Sequence, residues 1–187
     1  MQYITKTVTL KDGRTAIFRA PDPVRDTRAM IDCLKATAAE TEFLSRTPAE
    51  CDVSEEKEKA FLENTLRAEN AVMIVCEVDG KLAGNCQIVF ETRAKKKHRA
   101  TVMIAVLQKY WGFGIGTAMF REMIALAREK GTEQLELSVV EGNDRAIALY
   151  RKMGFETVGM LPDAFRLGGG ASAGEIWMRK VLSYDDP

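Results

Sequence analysis

Three glycines stand at every second position in the segment WGFGIGT, and this spacing favours a site for an anion. Gly112, Gly114 and Gly116 lie between an apolar, β-branched run and an amphipathic run. The first N–H groups of a helix have no partner within the helix, and the helix dipole makes that end partly positive. Because glycine has no Cβ, a phosphate can approach these groups closely. The segment therefore predicts a phosphate cradle, while a tight turn that only packs a strand against a helix stays open as the alternative.

Neither of the two common nucleotide-binding loops fits this segment. The pattern G-x-x-x-x-G-K-[ST] needs a lysine directly after its last glycine, but Thr117 and Ala118 follow Gly116. The dinucleotide fingerprint G-x-G-x-x-G has its third glycine one residue later than Gly116. The spacing therefore disfavours ATP and dinucleotides as ligands of the cradle.

Composition excludes several other classes of protein. The chain has 187 residues with 27 Lys+Arg and 27 Asp+Glu, so it lacks the surplus of cations that phosphate-backbone binding requires. Its four cysteines form no Cys-x-x-Cys pair and it has one histidine, so we expect no metal site. No apolar run approaches the roughly 20 residues of a membrane span. With no secretion signal, these features predict a cytoplasmic protein that binds neither nucleic acid nor membrane.

The elements that must position the cradle can be predicted from periodicity, caps and turns. Their order, ββααβββαβαββ, indicates one α/β (α+β) domain, residues 1–187, around a single mixed sheet. The predicted strands are 3–10, 14–20, 71–78, 82–91, 100–107, 134–140, 155–161 and 174–182. The predicted helices are 24–39 with Asp22 as a possible cap, 55–68 with Ser54 as cap, the run from Gly116 to Gly131, and 143–154 with Asn143 as cap. A glycine-rich loop is expected over 162–173.

Two segments together resemble the GCN5-related N-acetyltransferases (GNAT superfamily). The first, VLQKYWGFGIGTAMFREMIALAREKG, carries the family's acyl-CoA motif [QR]-x-x-G-x-[GA], with Trp111 where Gln or Arg is usual. The second, LELSVVEGNDRAIALYRKMGFETVG, carries the N-x-x-A-x-x-x-Y helix and its Gly-Phe ending. The close resemblance runs from Val102 to Gly159. It implies a mostly antiparallel sheet with helices on both faces and a splayed parallel pair of strands at the acyl-CoA site.

The resemblance also implies the reaction and its cosubstrate. An acetyl group moves directly from acetyl-CoA to a primary amine in a ternary complex, without a metal. Backbone groups of Ala105 and Val106, on the strand before the loop, pair with the pantetheine amide, and the loop holds the pyrophosphate. The residues implied to bind acetyl-CoA are Ile104, Ala105, Val106, Trp111, Gly112, Phe113, Gly114, Ile115, Gly116, Thr117, Asn143, Ala146 and Tyr150.

Tyr150 is the expected general acid, because a tyrosine stays neutral at pH 7 and can protonate the departing thiolate. Packing in the core is its alternative role. The general base is less defined, since Thr101–Ile104 contains no acid. Glu141 and Glu42 are candidates, and a chain of water or a purely solvated role for both carboxylates stays open.

The basic run, the acceptor site and the oligomeric state each allow more than one interpretation from the sequence. The basic run 93–99 is expected to be a solvated turn, with help to the CoA 3′-phosphate as a lesser option. His98 is expected to end a strand, with a role as a base as its alternative. The acceptor site is expected between the first helical region and the last two strands, where the Gly168–Gly170 loop is either a lid or an ordinary loop. A small-molecule amine or amino acid is the favoured acceptor.

The alternative functions are a CoA-binding sensor or partner protein and a transferase that uses another acyl-CoA. A homodimer is an open possibility.

Overall fold

The computed structural model describes residues 3–182 and contains one eight-stranded sheet. The strand order is β1-β2-β3-β4-β5-β6-β8-β7, and every adjacent pair is antiparallel except β5 and β6. The strands are β1 Lys6–Thr9, β2 Thr15–Arg19, β3 Ala71–Val78, β4 Lys81–Phe90, β5 Arg99–Val106, β6 Gln134–Val140, β7 Glu156–Arg166 and β8 Ser172–Val181. This mixed, mostly antiparallel sheet confirms the predicted fold class.

Four α-helices cover the sheet from both sides. They are α1 Thr27–Glu40, α2 Glu55–Arg67, α3 Ile115–Glu129 and α4 Asp144–Lys152. Helices α1 and α2 pack over β3 and β4, where Met30, Leu62 and Met73 form a small apolar cluster. Helix α3 lies on the other face, where Met119 and Phe120 are part of the main core. The sheet is thus the middle layer of three, at least across β3 and β4.

The open part of the sheet begins at β5. All eight residues of β3 are buried, which explains its unbroken apolar run. Strand β5 is also central in the strand order, as its apolar sequence predicts, but its burial alternates. Thr101 and Met103 are exposed because α1 and α2 end over β4. One face of β5 is therefore available to other molecules.

Helix α1 begins at Thr27, three residues after the predicted start at Val24. The Asp22 carboxylate accepts hydrogen bonds from the N–H groups of Val24 and Arg25, at 2.9 and 3.1 Å, and so closes a separate turn before the helix. The N-cap residue, Asp26, does not cap with its side chain. Its buried carboxylate instead forms a salt bridge of 2.6 Å with Arg19.

The predicted loop over 162–173 is mostly strand. Strands β7 and β8 continue their antiparallel pairing as far as Arg166 and Ser172. An irregularity between Leu161 and Phe165 accommodates the extra residues of β7, among them Pro162 and Asp163, the latter with φ of 52°. Only residues 167–171 connect the strands, and Gly168–Gly170 forms a 3₁₀ turn there.

No helix within residues 3–182 has the length and apolar character needed to cross a membrane.

Candidate functional site

The parallel strands β5 and β6 separate after a short contact and leave a wedge between them. They pair only at Arg99 with Gln134, at Ala100 with Leu135 and at Thr101 with Glu136. Beyond these three pairs, β5 keeps its other neighbour, β4, up to Val106. The edge of β5 that faces β6 therefore presents backbone groups to the wedge, as the splayed parallel pair requires.

The residues whose backbone faces the wedge follow from the alternation of an antiparallel ladder. The Leu107 N–H donates to the Ala83 carbonyl on β4 at 2.9 Å. Two residues earlier, Ala105 pairs with Asn85 and turns its N–H and carbonyl towards β4 as well. This corrects the expectation that backbone groups of Ala105 pair with a ligand, because the groups that face the wedge are those of Ile104 and Val106.

The three glycines of the loop are needed for different reasons. Gly112 and Gly114 have φ of 86° and 95°, which only glycine adopts readily, and Gly114 is the N-cap of α3. A Cβ on Gly112 would extend into open space. A Cβ on Gly116 would lie only 2.9 Å from Cδ2 of Leu149 on α4. Gly112 and Gly114 thus shape an open loop before a helix N-terminus, whereas Gly116 permits close packing of α3 against α4.

Trp111 connects this loop to the end of β5 by a hydrogen bond. Its indole Nε1–H donates a hydrogen bond of 2.6 Å to the Val106 carbonyl. The Arg145 guanidinium, from the first turn of α4, lies 4.6 Å from the centre of the Trp111 ring. Trp111 therefore holds the loop against the end of β5, and the Val106 N–H stays directed at the wedge. Contact of Trp111 with acetyl-CoA remains a prediction.

Lys11, in the turn between β1 and β2, also contacts the loop, although the sequence analysis missed it. Its N–H donates to the Phe113 carbonyl at 3.1 Å, and its Cγ lies 3.6 Å from the position of a Cβ on Gly114. Nearby, the Arg14 guanidinium stacks on the Phe113 ring at 4.9 Å. Arg14 is paired with Asp12 at 2.7 Å, whereas Lys11 has no ion-pair partner within residues 3–182. No local pattern reveals this contact, since about a hundred positions separate the two segments along the chain.

The basic run is at the opposite end of β5 from the loop. Strand β5 begins at Arg99, where the run ends, and the glycine loop follows its other end. At about 3.3 Å per residue, the eight residues of β5 separate the two by more than 20 Å. A separation of this size argues against the lesser option, contact of the run with the 3′-phosphate of a CoA bound at the loop. His98 does not end a strand as expected but is the last residue of the turn before β5, and its carbonyl accepts hydrogen bonds from the N–H groups of Glu133 and Gln134.

Helix α4 places Tyr150 against the core beside this region. Asn143 is the N-cap, as predicted, and its Oδ1 accepts the N–H of Ala146 at 3.2 Å. The Tyr150 ring is buried edge-on against Phe120, with 5.4 Å between ring centres. Burial raises the pKa of its phenol to about 12. Within residues 3–182 the Tyr150 hydroxyl makes no hydrogen bond, and its role as the general acid stays a prediction.

Glu141, directly after β6, lies over β8. Its Oε2 accepts the N–H of Gly174 at 3.0 Å, and its own N–H donates to the Gly174 carbonyl at 2.8 Å. A Cβ on Gly174 would lie 3.1 Å from that carboxylate oxygen and equally close to Met160. Glycine at this position thus lets the carboxylate lie flat against the sheet.

Glu42 approaches the same region from the segment after α1. Its Oε1 lies 2.7 Å from the position of a Cβ on Gly168, in the turn between β7 and β8. The next residue, Phe43, lies 3.7 Å from the corresponding position on Gly142. The segment after α1 therefore meets the end of β6 and the β7–β8 turn, which is the region predicted for the acceptor. Whether Gly168–Gly170 moves as a lid remains a prediction.

The comparisons with known proteins agree with this architecture. A profile of the acetyltransferase (GNAT) family matches residues 37–155, and the chain belongs to that family. An N-alpha-acetyltransferase of Sulfurisphaera tokodaii is 36% identical over 112 residues, which are 54% of this chain and 66% of that protein. The chain spans about half to two thirds of the length of the first curated relatives that it matches.

Solved structures extend the likeness to most of the chain. An acetyltransferase of the GNAT family from Streptococcus pneumoniae has a TM-score of 0.82 at 25% identity and covers 89% of this chain and 99% of its own. A phosphinothricin acetyltransferase of the same superfamily from Sinorhizobium meliloti, in complex with acetyl-CoA, has a TM-score of 0.77 at 18% identity, with coverages of 94% and 90%. The second likeness shows the shared fold alone.

Proposed function

We propose that this protein transfers an acetyl group from acetyl-CoA to a primary amine by direct attack in a ternary complex. The observation that carries the proposal is the convergence of three features at one end of β5. These are the wedge after Thr101, the open glycine loop at Gly112 and the buried phenol of Tyr150. Family membership and the acetyl-CoA bound by a structural neighbour support the same cosubstrate.

The residues at the wedge fit the shape and polarity of acetyl-CoA. The unpaired backbone of Ile104 and the N–H of Val106 can bind the amide groups of the pantetheine arm as an added strand would. The open space at Gly112 and the free N–H groups at the start of α3 suit the pyrophosphate. Lys11 adds a cation beside Gly114. Asn143 and Ala146 are at the start of α4, where the family motif implies contact with the arm.

The bound thioester supplies an acetyl carbon that is open to attack by an amine. An N–H on the edge of β5 stabilises the negative charge that develops on the carbonyl oxygen. As the carbon–sulfur bond breaks, Tyr150 donates its proton to the thiolate, and the proton that the attacking nitrogen loses on forming the amide returns to the phenolate. A phenol with a pKa of about 12 is fully protonated at pH 7, so the acid is present in its active form.

The acceptor amine is mostly protonated at pH 7, so its ammonium group must lose a proton before the nitrogen can attack. Glu141 and Glu42 lie in the region predicted for the acceptor, and either can accept the proton directly or through water. Strand β5 carries no acid, and Thr101 and Met103 are the residues that it turns to the open face. We propose Glu141 as the first base to test, because the Gly174 N–H holds its carboxylate in place.

A thiol-release assay tests the proposal. Acetyl-CoA is mixed with a panel of primary amines, and mass spectrometry identifies the acetylated product. Tyr150→Phe is expected to lower kcat by about 100-fold with little change in the dissociation constant of acetyl-CoA, since it removes only the acid. The matched control is Tyr3→Phe, because the Tyr3 hydroxyl bonds to Glu122 away from the wedge.

Two other results would redirect the proposal. Tight binding of acetyl-CoA with no transfer to any amine would favour a CoA-binding sensor. Faster release of thiol from succinyl- or propionyl-CoA than from acetyl-CoA would change the donor.

We also infer a cytoplasmic location, which the four buried free cysteines support because a reducing compartment keeps thiols unpaired. The homodimer remains a prediction.

A further inference from the structure

We propose that the acceptor is a monoamine with an apolar or aromatic body, which binds between Met103 and Trp177 on the open face of the sheet. The inference rests on the proposed function and specifies its second substrate. It concerns the face that α1 and α2 leave uncovered from β5 to β7. Two observations support it. Apolar side chains flank the wedge, and the charged side chains beside them are already paired.

The strand register places Met103 and Trp177 on either side of the wedge. Thr101 pairs with Glu136, so Met103 and Ser138 are level, two residues further along each strand. Ser138 pairs with Trp177 on β8, which in turn pairs with Gly159 on β7. Side chains two residues apart share a face, and the ion pair between Arg99 and Glu136 identifies that face as the open one. An amine that reaches the wedge from this side passes between Met103 and Trp177.

Both of these side chains are unusually exposed for their type. Met103 is 47% exposed and Trp177 is 46% exposed. Gly159, beside Trp177, leaves open space where a Cβ would be. Large apolar side chains grouped on a surface mark sites for a ligand or a partner. Here they border the position at which the reaction must take place.

A cavity of about 630 Å³ continues from this point across β6, β8 and β7. That volume is within the range of sites for small ligands, roughly 300–1,000 Å³. Its apolar lining includes Trp177, Val158, Met160 and Leu161. Glu141 does not extend this lining. Its carboxylate oxygen and Met160 both lie 3.1 Å from the Cβ position of Gly174, and Gly174 is three residues from Trp177 on β8, so the two positions face opposite sides of the sheet.

The charges in the cavity do not favour a polyamine. Glu136 is the one carboxylate among the described residues that line it, and Arg99 and Gln134 both donate hydrogen bonds to it. Arg179, also in the lining, pairs with Glu156 at 3.0 Å. A second ammonium group would therefore find no unpaired carboxylate in the cavity. The carboxylates that can attract the first ammonium, Glu141 and Glu42, lie outside the cavity lining.

The test compares acceptors at saturating acetyl-CoA. We expect kcat/KM for 2-phenylethylamine and hexylamine to exceed that for putrescine and spermidine by at least tenfold. Trp177→Ala is expected to lower kcat/KM for 2-phenylethylamine by at least tenfold and to leave the dissociation constant of acetyl-CoA unchanged. The matched control is Val181→Ala, because Val181 is exposed on the same strand but does not line the cavity.

Several results would overturn the inference. A preference for polyamines would do so, and so would an unchanged kcat/KM in Trp177→Ala. Sedimentation of the wild type as a dimer and of Trp177→Ala as a monomer, with unchanged acceptor preference, would make this face a subunit interface instead. In each case acetyl-CoA still binds and the proposed function stands. A wild-type protein that binds no acetyl-CoA would overturn both proposals together.

Discussion

Replacement of Gly112 by alanine separates binding by the glycine loop from its role in folding. Gly112 has φ of 86° and open space at its Cβ position, so Gly112→Ala introduces backbone strain without a clash. An L-residue in the left-handed region costs roughly 1–2 kcal/mol. For a chain of this length, that lowers Tm by about 2–8 °C. The new methyl group also occupies the space that the proposal assigns to the pyrophosphate.

Gly131→Ala is the matched control for this change. Gly131 has φ of 68° and open space at its Cβ position, but it follows the other end of α3. Its cost in stability is expected to be similar, with no effect on acetyl-CoA. Gly116→Ala is unsuitable as a test, because its Cβ would lie 2.9 Å from Leu149. A loss of affinity could then come from disturbed packing as well as from a lost contact with acetyl-CoA.

Isothermal titration calorimetry with acetyl-CoA measures the difference between the two variants. One hydrogen bond to a charged group contributes about 1.5–3 kcal/mol. Loss of one such bond to the pyrophosphate raises the dissociation constant by about 10- to 150-fold. We expect this loss in Gly112→Ala and none in Gly131→Ala. Equal affinity in both variants would refute the cradle, even if both lose stability as expected.

Three further predictions follow from charges and buried groups. Lys11→Ala should weaken acetyl-CoA binding several-fold at low salt and less at high salt, as shown by calorimetry, whereas Lys96→Ala in the basic turn should not. Glu58→Gln should raise Tm, increasingly so from pH 4 to pH 8, because burial raises the Glu58 pKa and its Oε1 has no hydrogen-bond partner among residues 3–182. The folded protein favours the neutral form of Glu58, so the wild type is relatively more stable at low pH and loses this stability as the pH rises through the raised pKa. A difference in Tm between Glu58→Gln and the wild type that stays constant with pH would contradict this account. Because the Tyr150 pKa is about 12, the profile of kcat against pH should have no descending limb below about pH 10.

Local sequence patterns correctly predicted the helix ends that depend on residues nearby along the chain. Ser54 accepts the Lys57 N–H at the start of α2, and Asn143 does the same for Ala146 at the start of α4. Gly154 has the positive φ, 85°, expected after a helix. Each of these features depends on residues within one turn of the chain, so sequence alone reveals it.

The errors occurred where distant contacts override local preference. The proline and glycines of 162–173 predict a loop, but pairing with β8 keeps Phe165 and Arg166 in a strand. The apolar sequence of β5 predicts burial on both faces, yet Met103 is exposed because α1 and α2 pack over β3 and β4 instead.

The two halves of the candidate site differ in the same way. The acyl-CoA half depends on a continuous segment, so its glycines and Tyr150 could be found as a motif. The acceptor half assembles the segment after α1, the end of β6 and the pair β7–β8. Glu42 and Glu141 could be named as candidates, but the importance of Trp177 appears only once the strand order is known.

Thermal unfolding with acetyl-CoA, CoA, ATP and NAD side by side tests the central claim most directly. A ligand at a hundred times its dissociation constant stabilises the folded state by about 2.7 kcal/mol. For a chain of this length, that raises Tm by about 5–11 °C. The account predicts this rise with acetyl-CoA and CoA and none with ATP or NAD at the same concentration. A rise with ATP or NAD alone, or with none of the four, would contradict it.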